Sequence, residues 1–84
     1  MTIRIRCLFF AASKDLTGTS SKDYDLEDED RDSDRFLEIL KRDFPKLAGT
    51  LQSSMLAVNQ EYVRGSVRFN DGDEVAVIPP ISGG

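Results

Sequence analysis

Thr2-Ile3-Arg4-Ile5-Arg6-Cys7-Leu8-Phe9-Phe10 is the stretch on which the fold turns. Its residues alternate, so Ile3, Ile5, Cys7 and Phe9 fall on one face of a strand while Arg4, Arg6, Leu8 and Phe10 fall on the other. The first set has no charge and is expected to face a core. Downstream, a short turn around Lys14 to Gly18 lets the chain reverse, and Lys22 to Leu26, with Tyr24 and Leu26 in phase, reads as a second strand. The chain therefore opens with a hairpin.

Beyond the hairpin the period changes. Ser33 stands where a helix N-cap is expected and Asp34 falls in the first turn, where a carboxylate favours the helix dipole. Phe36, Leu37, Leu40 and Phe44 then recur at helical spacing until Pro45 stops the pattern. Pro45 to Leu51 reads as a loop or short helical turn, Met55 to Val58 as a strand, Asn59-Gln60 as a turn and Glu61 to Val63 as a short strand that Gly65 ends. The cluster Asn70-Asp71-Gly72-Asp73 is a turn leading into a last strand, Glu74 to Ile78. Strand, strand, helix, strand, short strand, strand suits a mixed sheet with one helix packed across it, an α+β arrangement of the ubiquitin-like β-grasp kind. The expected organisation is one domain over 1–78 and an extended tail over 79–84.

Length and composition narrow the function. A chain of 84 residues buries about 60–65% of the surface its unfolded form exposes, so one economical core is expected, with function on a face, an edge or an end. With 39% hydrophobic and 31% charged residues the composition is that of a globular domain. The formal charge is -4, and the acidic residues concentrate between Asp23 and Asp34, which opposes binding to nucleic acid or an anionic membrane surface. That run is expected to be solvated surface. Arg4 and Arg6 interrupt the first apolar stretch, unlike a signal peptide, and a single cysteine cannot form an internal disulfide, so a cytosolic address is expected. There is no His, no Cys cluster and no Gly-rich phosphate loop, which removes the usual parts of zinc sites, nucleophile–base pairs and P-loops. The chain is expected to bind no metal or cofactor of its own and not to be catalytic alone. Cys7, in phase with Ile3, Ile5 and Phe9, is expected to pack as a small hydrophobe.

Pro79-Pro80-Ile81-Ser82-Gly83-Gly84 carries the most functional information. Two prolines lack the N–H that sheet pairing needs and favour a polyproline-like extension, so the chain is expected to leave the sheet as a tail. Six extended residues reach about 20 Å. Gly83 and Gly84 have no Cβ, which lets a narrow channel close around their backbone. The reactive group is then the Gly84 carboxylate, and turning it into an electrophile requires activation, as in an acyl-adenylate. A sulfur nucleophile attacking that acyl group would leave a thiocarboxylate. A partner must perform the activation, because the chain shows no nucleotide site.

These residues resemble a known family, the small subunits of molybdopterin synthase. The resemblance rests on Leu8-Phe9-Phe10-Ala11 followed by Leu16-Thr17-Gly18-Thr19, on Ala57-Val58-Asn59-Gln60, and above all on Asp71-Gly72-Asp73-Glu74-Val75-Ala76 running into Pro79-Pro80-Ile81-Ser82-Gly83-Gly84. It spans the chain from Ile3, and the acidic stretch Glu27 to Asp34 departs from it. What it implies is a sulfur carrier whose Gly84 is adenylated with ATP by an enzyme related to ubiquitin-activating enzymes and loaded by a sulfurtransferase. The tail would then enter the large synthase subunit and deliver sulfur to cyclic pyranopterin monophosphate, building the dithiolene of molybdopterin in molybdenum cofactor biosynthesis. Two small and two large subunits form a heterotetramer in that family, and hydrophobic contacts to the large subunit fall at positions matching Phe10, Tyr62 and Ile78. A terminal Gly-Gly is shared with carriers for thiamine and tRNA thiolation and with ubiquitin-like protein modifiers, which stay open as alternatives.

The strand phase offers its own support for a docking surface. The alternation that sends Phe9 and Val77 inward sends Phe10 and Ile78 to the opposite face, and if the first and last strands are neighbours the two make an exposed apolar patch.

Overall fold

The computed structural model describes residues 1–80. Five strands form one mixed sheet in the order β2-β1-β5-β3-β4. Strand β1 (Ile3–Phe9) pairs antiparallel with β2 (Ser21–Leu26) and parallel with β5 (Glu74–Ile78). On the far side of β5, strand β3 (Met55–Val58) pairs antiparallel with it and with β4 (Glu61–Val63). The first and last strands are therefore neighbours at the centre of the sheet. With the helix described next lying across one face, this is the β-grasp arrangement expected from the order of elements.

The inward set of β1 is the predicted one, and Ile3, Ile5, Cys7 and Phe9 are all buried. Val75 and Val77 of β5 and Tyr24 and Leu26 of β2 complete that face. Helix α2 (Ser33–Asp43) covers it with Phe36, Ile39 and Leu40, which lie three and four residues apart and so share one side of the helix. Phe36 sits at the hub, edge-on to Tyr24 at 5.2 Å between centroids and to Phe69 at 5.6 Å. Lys41 and Arg42 lie in the last turn, where they complement the dipole. Phe44 ends the helix rather than extending it, and its ring meets Phe9 edge-on at 5.6 Å. After Pro45 come a 3-10 turn (Pro45–Leu47) and α3 (Ala48–Leu51), whose Leu47 and Leu51 also enter the core.

Three readings are corrected. The turn expected at Lys14 to Gly18 is a six-residue helix, α1 (Ala12–Thr17), closed by Gly18 at φ 75, whose N–H donates to the Lys14 carbonyl. Strand β2 begins one residue earlier than expected, at Ser21. Ser33 is not the N-cap of α2, a place taken by Asp32 without a side-chain bond. The Ser33 side chain turns away from the helix end instead: its Oγ accepts from the Val67 N–H at 3.0 Å while its own N–H donates to the Val67 carbonyl at 2.8 Å. A pair of bonds to one distant backbone residue outcompetes a local cap, and with the Asp32–Arg68 bridge it lashes the helix start to the 66–69 segment.

The acidic run is mostly exposed, as expected, but it is also paired. Asp25 and Asp23 lie opposite Arg4 and Arg6 across the β1–β2 ladder, at 2.8 and 3.1 Å from the two Nε atoms. The Arg4 hydrogen bond holds the Asp25 carboxyl below the usual carboxylate range. Asp28 receives Arg31 at 3.2 Å, and its pKa is lowered by the same kind of contact.

Candidate functional site

The sheet has two faces and α2 covers one of them. On the other, the register sets Arg4 opposite Asp25 and Arg6 between Asp23 and Glu74, then Leu8 between Ser21 and Ala76, and Met55 beside Ile78. The outward face is thus charged at one end and apolar at the other. The apolar end is the one at which β5 runs out into Pro79.

Phe10, Tyr62 and Ile78 meet there. They surround a depression of about 430 Å³ with Leu8, Ala57 and Ala76 between them and Gln60 and Glu74 at its border. Phe10 is 47% and Tyr62 63% exposed, whereas Ile78 is half-buried. The short side chains of Ala57 and Ala76, paired across β3 and β5, are what makes the surface concave. Phase arguments placed Phe10 and Ile78 together. The alanines escape such arguments, because their place in the depression depends on register across β3, as does that of Met55 beside Ile78 but outside the depression.

Several local devices hold this surface. The β3–β4 turn puts both Asn59 (φ 52) and Gln60 (φ 71) in the left-handed region, the conformation that two-residue hairpin turns require. Asn59 then fastens the turn to β5: its Nδ2 donates to Asp73 at 2.9 Å and its Oδ1 accepts from the Glu74 N–H at 3.0 Å. Gly72 (φ 87) lets the preceding loop close on β1, donating to the Arg4 carbonyl at 2.7 Å.

At the other side, Ala11 adopts φ 51 and ψ -128, a strained position for a residue with a Cβ. The strain is held by Ser13, which is fully buried. Its Oγ lies 2.6 Å from the Phe10 carbonyl and 3.5 Å from that of Val77. One hydroxyl thus lies between the ends of β1 and β5, below Phe10 and just before the chain departs.

Cys7 takes no part in this surface. Burial pushes its thiol up to about 12, which leaves it protonated and inert near neutrality. Burial likewise raises the Tyr24 hydroxyl, reinforced by its hydrogen bond to Asp43. Among the described residues no group of side chains is arranged to hold a metal ion, and no helix is long and apolar enough to cross a membrane.

Of the expected tail, Pro79 is buried and Pro80 exposed, so the first proline still packs against the domain. Ile81, Ser82, Gly83 and Gly84 lie outside the described residues.

The sheet, its open face and the strand leading to the last six residues can be set against known proteins. The ThiS family matches residues 7–84. The chain belongs to that family. Among its curated relatives is a protein named molybdopterin synthase sulfur carrier subunit from Dictyostelium discoideum, 38% identical over 86 aligned positions that cover 100% of both chains. The fold is shared with SAMP1 from Haloferax volcanii, at a TM-score of 0.82 and 22% identity over 96% of this chain and 99% of that one. It is shared too with a chain in the complex of subunits 1 and 2 of molybdopterin-converting factor from Helicobacter pylori 26695. That likeness has a TM-score of 0.70 and 20% identity, over 98% of this chain and 100% of that one.

Proposed function

We propose that this ThiS-family chain is the sulfur carrier of a molybdopterin synthase and that the Gly84 carboxyl carries the sulfur. The reading rests above all on one observation: the apolar depression opens at the end of the sheet from which the chain leaves toward Gly84. A partner seated over Phe10, Tyr62 and Ile78 is thereby placed to receive the tail. Full-length similarity to a curated sulfur carrier subunit supports the same reading.

The chemistry divides between this chain and its partners. An adenylating enzyme joins the Gly84 carboxylate to the AMP part of ATP and releases pyrophosphate. A persulfide on a sulfurtransferase attacks the acyl carbon, AMP leaves, and a thiol reductant cleaves the resulting acyl disulfide to leave the thiocarboxylate. In the large synthase subunit that sulfur attacks a carbon of cyclic pyranopterin monophosphate and displaces the oxygen it carries, so that a C–S bond replaces a C–O bond. Water then cleaves the acyl–sulfur bond and regenerates the Gly84 carboxylate. The tail residues Pro79, Pro80, Ile81, Ser82 and Gly83 bridge domain and reacting atom with little side-chain bulk at the end. Docking is driven by burial of the open face, where each large side chain covered contributes about 1.5–3 kcal/mol. Two carriers and two large subunits make the assembly, in the cytosol.

Intact mass after incubation with ATP, the adenylating enzyme and a sulfur source tests the chemistry, with one oxygen at the C-terminus replaced by sulfur as the expected result. A chain lacking Gly84 is expected to bind the large subunit and transfer no sulfur. Full pterin sulfuration by that truncated chain would overturn the reading.

A further inference from the structure

Glu74 stands apart from the other acids of the open face. Arg6 lies directly beside it in the β1–β5 register, yet the Arg6 guanidinium turns the other way and donates through Nε to Asp23 at 3.1 Å. No described cation lies within salt-bridge distance of the Glu74 carboxylate. The residue is half-buried on the central strand and borders the same depression as Phe10, Tyr62 and Ile78. The charged end of the face behind it also has an acidic surplus, with Arg4 and Arg6 facing Asp23, Asp25, Asp71 and Glu74.

A partner that covers the depression must exclude water from this carboxylate. Removing water from a charge is costly unless an opposite charge replaces the lost hydration. Among the described residues none is in place, because Arg6 is engaged by Asp23 and Lys14, which shares a hollow with Arg6 and Glu74, lies beyond salt-bridge distance of the carboxylate. We propose that the large synthase subunit places an arginine or lysine against Glu74 when it docks, so that this carboxylate sets the register of the complex and selects a partner with a basic rim beside its apolar surface. The inference rests on the reading of function above.

The test uses the full chain and the purified large subunit, with affinity measured from low to high salt for the wild type and for Glu74→Gln, which keeps shape and removes charge. Wild-type binding is expected to weaken as salt rises. Glu74→Gln is expected to bind about 10- to 100-fold more weakly at low salt, with a flatter salt dependence, because it strands a buried cation on the partner. Matching melting temperatures exclude a folding defect. Loss of less than tenfold, or tighter binding, overturns the proposal while leaving the carrier reading intact, since a neutral side chain is cheaper to bury where no cation waits. Failure of the wild type itself to bind the large subunit overturns the carrier reading, and this inference with it.

Discussion

The two faces of this sheet are built from the same strands and have opposite fates. Toward α2, β1 sends Ile3, Ile5, Cys7 and Phe9, and β5 sends Val75 and Val77, all buried within the chain itself. On the other side the same strands place Leu8, Ala76 and Ile78 in a surface that no element of the described chain covers, with Phe10 just past the end of β1. The lesson is that alternation alone assigns a residue to a face but not a role to the face. A strand such as β5, with Val75 and Val77 covered and Ala76 and Ile78 on the open side, commits one side to folding and leaves the other available to a partner.

The contrast can be broken from either side. The largest effect is expected at the covered face: Phe36→Ala removes the ring that joins Tyr24 and Phe69 and should cost about 3–5 kcal/mol, read by urea unfolding. On the open face, Phe10→Asp should abolish complex formation with the large subunit while shifting stability by only about 0.5 kcal/mol, as surface substitutions do. Unchanged affinity would remove Phe10 from the docking surface. The smallest effect is expected where the two faces meet. Ala11→Gly relieves backbone strain of about 1–3 kcal/mol and adds about 0.4–1 kcal/mol of unfolded-state entropy. A net gain of about 1 kcal/mol in a thermal melt is the expected outcome, and a loss would show that Ala11 is not strained.

Much of the fold was legible because its periods are clean. The alternation in β1 is unbroken, and α2 repeats its apolar residues at helical spacing before a proline. What was not legible depended on distant partners. Ser33 carries every local mark of an N-cap, yet the Val67 backbone, far along the chain, claims both its hydroxyl and its N–H. In α1 only Leu16 is a large apolar residue, and the fully buried position belongs to a serine, so no amphipathic pattern announces a helix. Phe69 is wholly buried in a segment that belongs to none of the five strands and pairs only through the Asp32–Arg68 bridge, so no alternating pattern marks it as core. At the candidate site, phase revealed Phe10 and Ile78. Tyr62 came from family resemblance, and the concavity between them required the Ala57–Ala76 register. Glu74 was visible as a residue but not as an unneutralised one, because which acid Arg6 chooses is a matter of geometry.

The parallel pairing of β1 with β5 joins Arg6 to Glu74 and Phe9 to Val77 across a span of roughly seventy residues. Closing so long a loop is entropically costly and makes this a slow contact to form. During synthesis the central strand pair cannot assemble until almost all of the 84 residues have left the ribosome. A product cut short before β5 therefore lacks both the core seam and the Glu74, Ala76 and Ile78 side of the open depression. Only a chain made through β5 completes the core and the open face together, so the order of the strands ties the two faces to one late event.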